Sequence, residues 1–313
     1  MFKIYILLAL TAAAGTLYPA EFPLLSMIPD DAGSVVGFDA GKVLSSPFGR
    51  RILSRMQSDD PRLKILFQLG FDPARDLRHV VVSSAGGGGS GRSLIAASGV
   101  FDARKIAQGL AGELVANSLK KSVYEGIEMM VGADGNGLAI PDNNTILLGD
   151  GLLIRSALDR RRLKTTRRPP STLQMLAKAE RWMSGYDLWF ASSGPQNDFT
   201  GRVGERATGG VISSELLKGF DRTYGGLRFA DSLDVGVETV AKSEKDAGTM
   251  VKAMKLLSVV SLMTKGTSNK NPLSFLDSLD IRAEGNIVNL KLVVPKAAFD
   301  AISPPVPGEA EPQ

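Results

Sequence analysis

The chain has 313 residues, of which 22% are charged and 43% hydrophobic, a formal net charge of +4, one histidine and no cysteine. That length suffices for two ordinary domains, each with its own core. The missing thiols exclude disulfides, thiolate metal sites, thiol nucleophiles and a lipid-modified cysteine anchor. A surplus of four basic groups argues only weakly for anionic partners.

Residues 1–20 read as an export signal: Lys3 supplies the positive start, Ile4 to Leu10 and Ala12 to Ala14 the apolar core, and small residues follow. The run is too short, and too soon followed by Pro19 and Glu21, for a membrane span of about 20 apolar residues, so the mature chain is expected to be periplasmic or secreted without a span.

Ser34 to Asp39 is a short apolar strand, and Asp39 or Gly41 leads into a helix through Phe48, Ile52, Leu53 and Met56. Pro61 starts another helix, stopped at Gly70. Asp76 to Ala85 is a strand, the glycine-rich run 86–91 a loop, and Leu94 to Phe101 its hairpin partner. Asp102 caps a helix through Ile106, Leu110 and Leu114. Alternation at Ile127, Met129 and Val131, a turn at Asn136-Gly137, and apolar runs at Leu138–Ile140 and Ile146–Leu148 give further strands, and Asp150 opens a helix through Leu153, Ala157 and Leu158.

From Gly226 to Val294 the pattern is firmest. Leu227, Phe229, Leu233, Val235, Val237 and Thr239 alternate with polar or small residues as two antiparallel strands do. Ser243 with Asp246 then starts a helix carrying Ala247, Met250, Val251, Met254 and Leu257 on one face, closed at Gly266. Leu279–Ala283 and Val288–Val294 flank a hairpin turn at Gly285-Asn286. The unit reads ββαββ.

The order helix, Asp76-Leu77, apolar strand, Ser83-Ser84, glycine recurs as helix 172–182, Asp187-Leu188, apolar strand, Ser192-Ser193, glycine. We therefore expect an α+β fold of two related ββαββ-type units, with antiparallel sheets backed by long helices, the copies falling at about 76–159 and 187–302. As domains this gives 1–20 signal, 21–159 first unit, 160–186 basic linker and helix, 187–302 second unit, and a proline-rich tail at 303–313 expected to be disordered.

Several stretches resemble exported bacterial proteins of unassigned function that carry a duplicated α+β unit: Ile28-Pro29-Asp30-Asp31-Ala32 with the Val35-Val36-Gly37-Phe38-Asp39 strand, Ser46-Pro47-Phe48-Gly49-Arg50-Arg51-Ile52-Leu53, Phe71-Asp72-Pro73-Ala74-Arg75-Asp76-Leu77, and Tyr224-Gly225-Gly226-Leu227-Arg228-Phe229. These are strand, turn and cap features. The resemblance implies the fold and export, and no activity.

No catalytic, cofactor or metal residue is assigned. Gly86 to Ser93 imitates a phosphate loop, but Arg92 replaces its lysine and a strand, not a helix, follows. His79 alone could serve a Ser-His-Asp scheme, and no G-x-S-x-G elbow supplies the nucleophile. Asp134 to Gly137 and Asp142 to Asn144 suit hairpin turns better than calcium loops, since Thr145 stands where the terminal glutamate would be. The pairs Asp30-Asp31 and Asp59-Asp60 read as caps and turns.

What stands out is Arg155, Arg160, Arg161, Arg162, Lys164, Arg167 and Arg168, opposed only by Asp159. Arg160, Arg161, Arg162, Arg167 and Arg168 are the candidate contacts for something anionic: an envelope component, such as lipid headgroups or surface polysaccharide, or an acidic protein. The plainer alternative, which weighs more at this point, is a solvated linker with cations at a helix C-terminus. Nucleic acid is not expected, because no aromatics interleave for stacking. Function then divides between a non-enzymatic binding or envelope-associated protein and an extracytoplasmic hydrolase with an unrecognised carboxylate site. A third reading is an assembly role through open sheet edges.

Overall fold

The computed structural model describes residues 23–51, 53, 71–85, 92–100, 102, 106, 120–164, 167–193, 219–263 and 274–302. The export signal, the helix after Pro61, the 86–91 loop, nearly all of the helix after Asp102, Asp59-Asp60, Gly266 and the tail lie outside them.

A 3-10 turn, Pro23–Met27, precedes strand β1 (Ala32–Asp39) and helix α1 (Ala40–Ser45). The Asp39 carboxylate accepts from the Lys42 amide at 3.0 Å and so caps α1 as expected. The helix does not run on through Phe48. Ser46 is extended, since a residue before proline avoids the helical region. Its hydroxyl then caps a fresh turn over 47–51 by accepting from the Gly49 amide at 2.9 Å. Helix α2 (Pro73–Asp76) leads into β2 (Leu77–Ala85) and β3 (Ser93–Gly99). Strands β4 (Lys120–Tyr124), β5 (Ile127–Val131), β6 (Asn136–Asp142) and β7 (Thr145–Asp150) form a meander. Asn136-Gly137 belongs to β6. The turn lies just before it, where the Asp134 carboxylate accepts from the Asn136 amide at 3.0 Å and Gly135 takes a φ of 81° that suits only glycine well.

Helices α3 (Gly151–Leu163) and α4 (Pro170–Met183) come next, α3 capped by Asp150, which accepts from the amides of Leu152 and Leu153. Strands β8 (Leu188–Ser193), β9 (Phe220–Phe229) and β10 (Ser232–Ala241), helix α5 (Glu244–Met263), a 3-10 turn (Ser274–Ser278), β11 (Asp280–Glu284), β12 (Ile287–Pro295) and α6 (Lys296–Ile302) complete the described chain. The ββαββ reading of the last part is the observed element order, with Ser243 and Asp246 reciprocally bonded at the start of α5 and Gly285-Asn286 as the hairpin loop.

The described strands make one mixed-length antiparallel sheet of 12, in the order β11-β12-β10-β9-β8-β1-β2-β3-β7-β6-β5-β4. The separate sheets expected from sequence are joined because β1 pairs with β2 on one side, Val36 opposite Val82, and with β8 on the other, Val36 opposite Phe190. At this centre Gly37 is required by a close approach: a Cβ there would lie 2.3 Å from the Trp189 indole. Helices cover both faces. On one, α3, α4 and the N-terminal turn pack over Val35, Val81, Ala96, Leu147 and Trp189. On the other, α1 packs near Val80 and Ala97, α5 over Val288 and Ile281, and Phe48 with α6 over Leu233 and Val294.

Candidate functional surface

The basic stretch picked out by sequence starts inside α3 and ends at the entry to α4. Buried Leu153, Ile154, Ala157 and Leu158 turn one side of α3 to the sheet, and Met175, Leu176, Ala179 and Met183 do the same for α4. The N-terminal turn shares this core: Leu24 and Ile28 are 1% exposed and Leu25 is fully buried.

That turn divides the cations. Arg160 and Arg168 point inward, each only 7% exposed. The Arg160 guanidinium donates to the Met27 carbonyl at 2.8 Å and to the Ser156 hydroxyl at 2.6 Å. Arg168 donates to the carbonyls of Leu25 at 2.5 Å and Ile28 at 3.4 Å. Burial pushes both pKa values down, that of Arg168 to about 10; for Arg160 the carboxylates of Asp30, Asp31 and Asp159 pull the other way. Both stay charged at neutral pH. Their work is to give charged donors to buried carbonyls of the N-terminal segment, those of Met27 and Ile28 and that of Leu25, which otherwise accepts only a 3.4 Å bond from the Ile28 amide.

The others face outward. Arg161 pairs with Asp142, Arg162 lies 3.7 Å from Glu125, and Arg155 sits 5.5 Å over the Tyr124 ring. The Tyr124 hydroxyl donates to Asp159 at 2.9 Å, which raises the phenol pKa. Lys164 ends α3 in the left-handed conformation and, like Arg167, is exposed. From 151 to 184, the described exposed charges are Arg155, Arg162, Lys164, Arg167 and Arg181 against Glu180 alone. Counted over all side chains, residues 151–184 hold nine Lys and Arg against Asp159 and Glu180, whereas the rest of the chain holds 28 basic residues against 31 acidic, so the basic excess is gathered on one helical layer rather than spread. Three large apolar side chains lie on the same layer: Leu152 at 64%, Leu163 at 53% and Leu173 at 41% exposure. Sequence reading left these leucines out of the site. Their signal was present, because Leu152 and Leu163 stand three turns apart on the side of α3 opposite its buried residues.

The Asp142 pair is testable by acid. Burial pushes the Asp142 carboxyl up, but the Asn144 amide, Arg161 and Thr145 outweigh it and hold the group below the usual carboxylate range. A carboxyl held low adds stability above its unfolded pKa and loses it as pH falls through the folded value. Asp142→Asn should therefore lower the urea midpoint at neutral pH, and the gap to the parent should close in acid. A gap that stays constant down to the acid limit would contradict the pairing.

The remaining candidates resolve locally. Asp142 and Asp134 serve turns, bonding the amides of Asn144 and Asn136. Asp30 and Asp31 lie in the connection before β1, where they favour the Arg160 charge. Among the described residues no cluster of three His, Asp or Glu side chains could hold a metal. The resolved carboxyl shifts, at Asp76, Asp134, Asp142 and Asp300, all run downward and are accounted for by neighbouring cations or amides.

His79 has neighbours that sequence could not reveal. Asp39 stands opposite it on β1 and Ser98 opposite it on β3, so the three share one row and one side of the sheet. The Ser98 hydroxyl is buried without a hydrogen-bond partner, hence not bonded to the imidazole. Ser98 also sits in a strand flanked on both sides, by β2 and β7, so the local amides that an oxyanion hole would use are committed to the sheet.

No protein-family profile and no curated protein matches the chain. Among solved structures, crystal form I of TP0453 is similar, with a TM-score of 0.51 and 11% identity over 91% of this chain and 97% of that one. Crystal form IV of TP0453 gives a TM-score of 0.50 and 11% identity over 88% and 94%. At this identity the likeness is one of fold: a large antiparallel sheet with helices on it, α+β in class.

Proposed function

We propose that this is an exported, non-enzymatic, envelope-associated binding protein that holds an anionic partner on the outer side of the α3–α4 layer. The observation that carries the reading is the concentration of basic side chains on that layer, nine against two acidic over residues 151–184, in a chain whose remainder is slightly acidic. Of the residues singled out by sequence, Arg162 and Arg167 remain available to a partner, joined by Arg155, Lys164 and Arg181, while Arg161 is half-buried and taken up by Asp142. Arg160 and Arg168 act from beneath by fixing the layer to the N-terminal turn. Export rests on the signal-like residues 1–20.

The test is capture from fractionated cell envelope by the parent chain and by an Arg162→Ser, Lys164→Ser, Arg167→Ser variant. The parent should retain an anionic component that moderate salt releases, and the variant should not. Equal capture by both would end the reading.

We further propose that the two halves of the sheet descend from one duplicated unit. What supports it is a shared connection: β3 pairs with the later strand β7, and β10 with the later strand β12, so in each half the strand before a long connection is joined to the last strand of its group. Native-state hydrogen exchange should then reveal two cooperative blocks meeting at β1. A single block running unbroken from β3 to β10 would count against it.

A further inference from the structure

We infer that the anionic partner of this layer is the surface of a lipid bilayer, with α3 lying along it. The inference rests on the reading proposed above and narrows it to one partner class. A polysaccharide or an acidic protein loop would be served by cations alone. This layer adds Leu152 and Leu163 on the outward line of α3, with Arg155 and Arg162 beside that line, and Leu173 on α4. A helix resting in a bilayer interface needs that arrangement: apolar side chains entering the boundary between headgroups and acyl chains, with guanidinium groups at the level of the phosphates.

A separate observation sets the orientation. Arg160 and Arg168 pin the Pro23–Met27 turn into this same layer, so the chain N-terminal to Pro23 joins the molecule there. Its sequence includes the apolar run Ile4-Tyr5-Ile6-Leu7-Leu8-Ala9-Leu10. On the export reading this run belongs to the signal, so it leads into the α3–α4 layer only until it is removed.

The absence of cysteine permits a clean test on the mature chain, residues 21–313 on the export reading. An environment-sensitive fluorophore is attached to a Leu163→Cys variant and, separately, to a Val123→Cys variant. Val123 is 71% exposed and adjoins Tyr124 on β4, whose side chain turns toward α3, so Val123 itself lies on the opposite side of the sheet. The probes are vesicles of phosphatidylglycerol with phosphatidylcholine, vesicles of phosphatidylcholine alone, and soluble dextran sulfate. The expected result is a blue shift at position 163 on the anionic vesicles, none at 123, and none at 163 with dextran sulfate. Changing Leu152, Leu163 and Leu173 to serine should weaken partition onto anionic vesicles about tenfold, as expected for losing partly inserted leucines, while leaving dextran sulfate capture intact. An equal shift at 123, or an equal shift at 163 on neutral vesicles, overturns the inference. Dextran sulfate capture without vesicle binding overturns it while sparing the anionic-partner reading. Capture of neither overturns both.

Discussion

Replacing Arg168 by alanine is expected to cost about 3 kcal/mol, seen as a lower urea midpoint with little change in slope. The loss has two parts. The Ile28 carbonyl loses a charged donor and the Leu25 carbonyl is left with only the 3.4 Å bond from the Ile28 amide, and an unsatisfied buried carbonyl costs about 1–3 kcal/mol. The N-terminal turn also loses part of its anchorage, and with it the fit of Leu24, Leu25 and Ile28 between α3 and α4. Relief from burying a cation offsets some of this, since burial alone depresses the Arg168 pKa. Lysine is expected to recover only a fraction, because a single ammonium lacks the planar fork. Unchanged stability of the alanine variant would show that the turn does not depend on Arg168.

Trp189→Ala should be the costlier change, at about 4 kcal/mol, because it empties the largest fully buried side chain at the middle of the sheet. The indole lies over Gly37 on the neighbouring strand. Gly37→Ala alone should cost about 2 kcal/mol through overpacking. The two sites share one volume, so their effects should not add: in a Trp189→Phe background Gly37→Ala should be much milder. Additive urea midpoints across that cycle would contradict the contact.

These residues also mark what was legible in the sequence. Caps and tight turns were, because they are settled within a few residues: Asp39, Asp150 and the Ser243–Asp246 pair do what their spacing implies. The ββαββ order from β9 to β12 was also readable, since a period of two gives way to a helical period and back. The single sheet was not, because it depends on β1 finding strands on both sides across long separations in sequence. The division of the basic cluster was hidden for the same reason. Nothing local separates Arg160 from Arg161; what draws Arg160 inward is the carbonyl of Met27, 133 residues away.

The central claim, that the exposed half of this cluster holds an anionic partner, is tested most directly by the salt dependence of binding to phosphatidylglycerol-containing vesicles. The parent is compared with the Arg162→Ser, Lys164→Ser, Arg167→Ser variant. At about 1 kcal/mol for each cation near an anionic surface, the variant should bind roughly a hundredfold more weakly in dilute salt, and the two curves should converge as salt rises. Its urea midpoint should match the parent's, because the three side chains are exposed. Equal affinity of parent and variant at low salt would contradict the account.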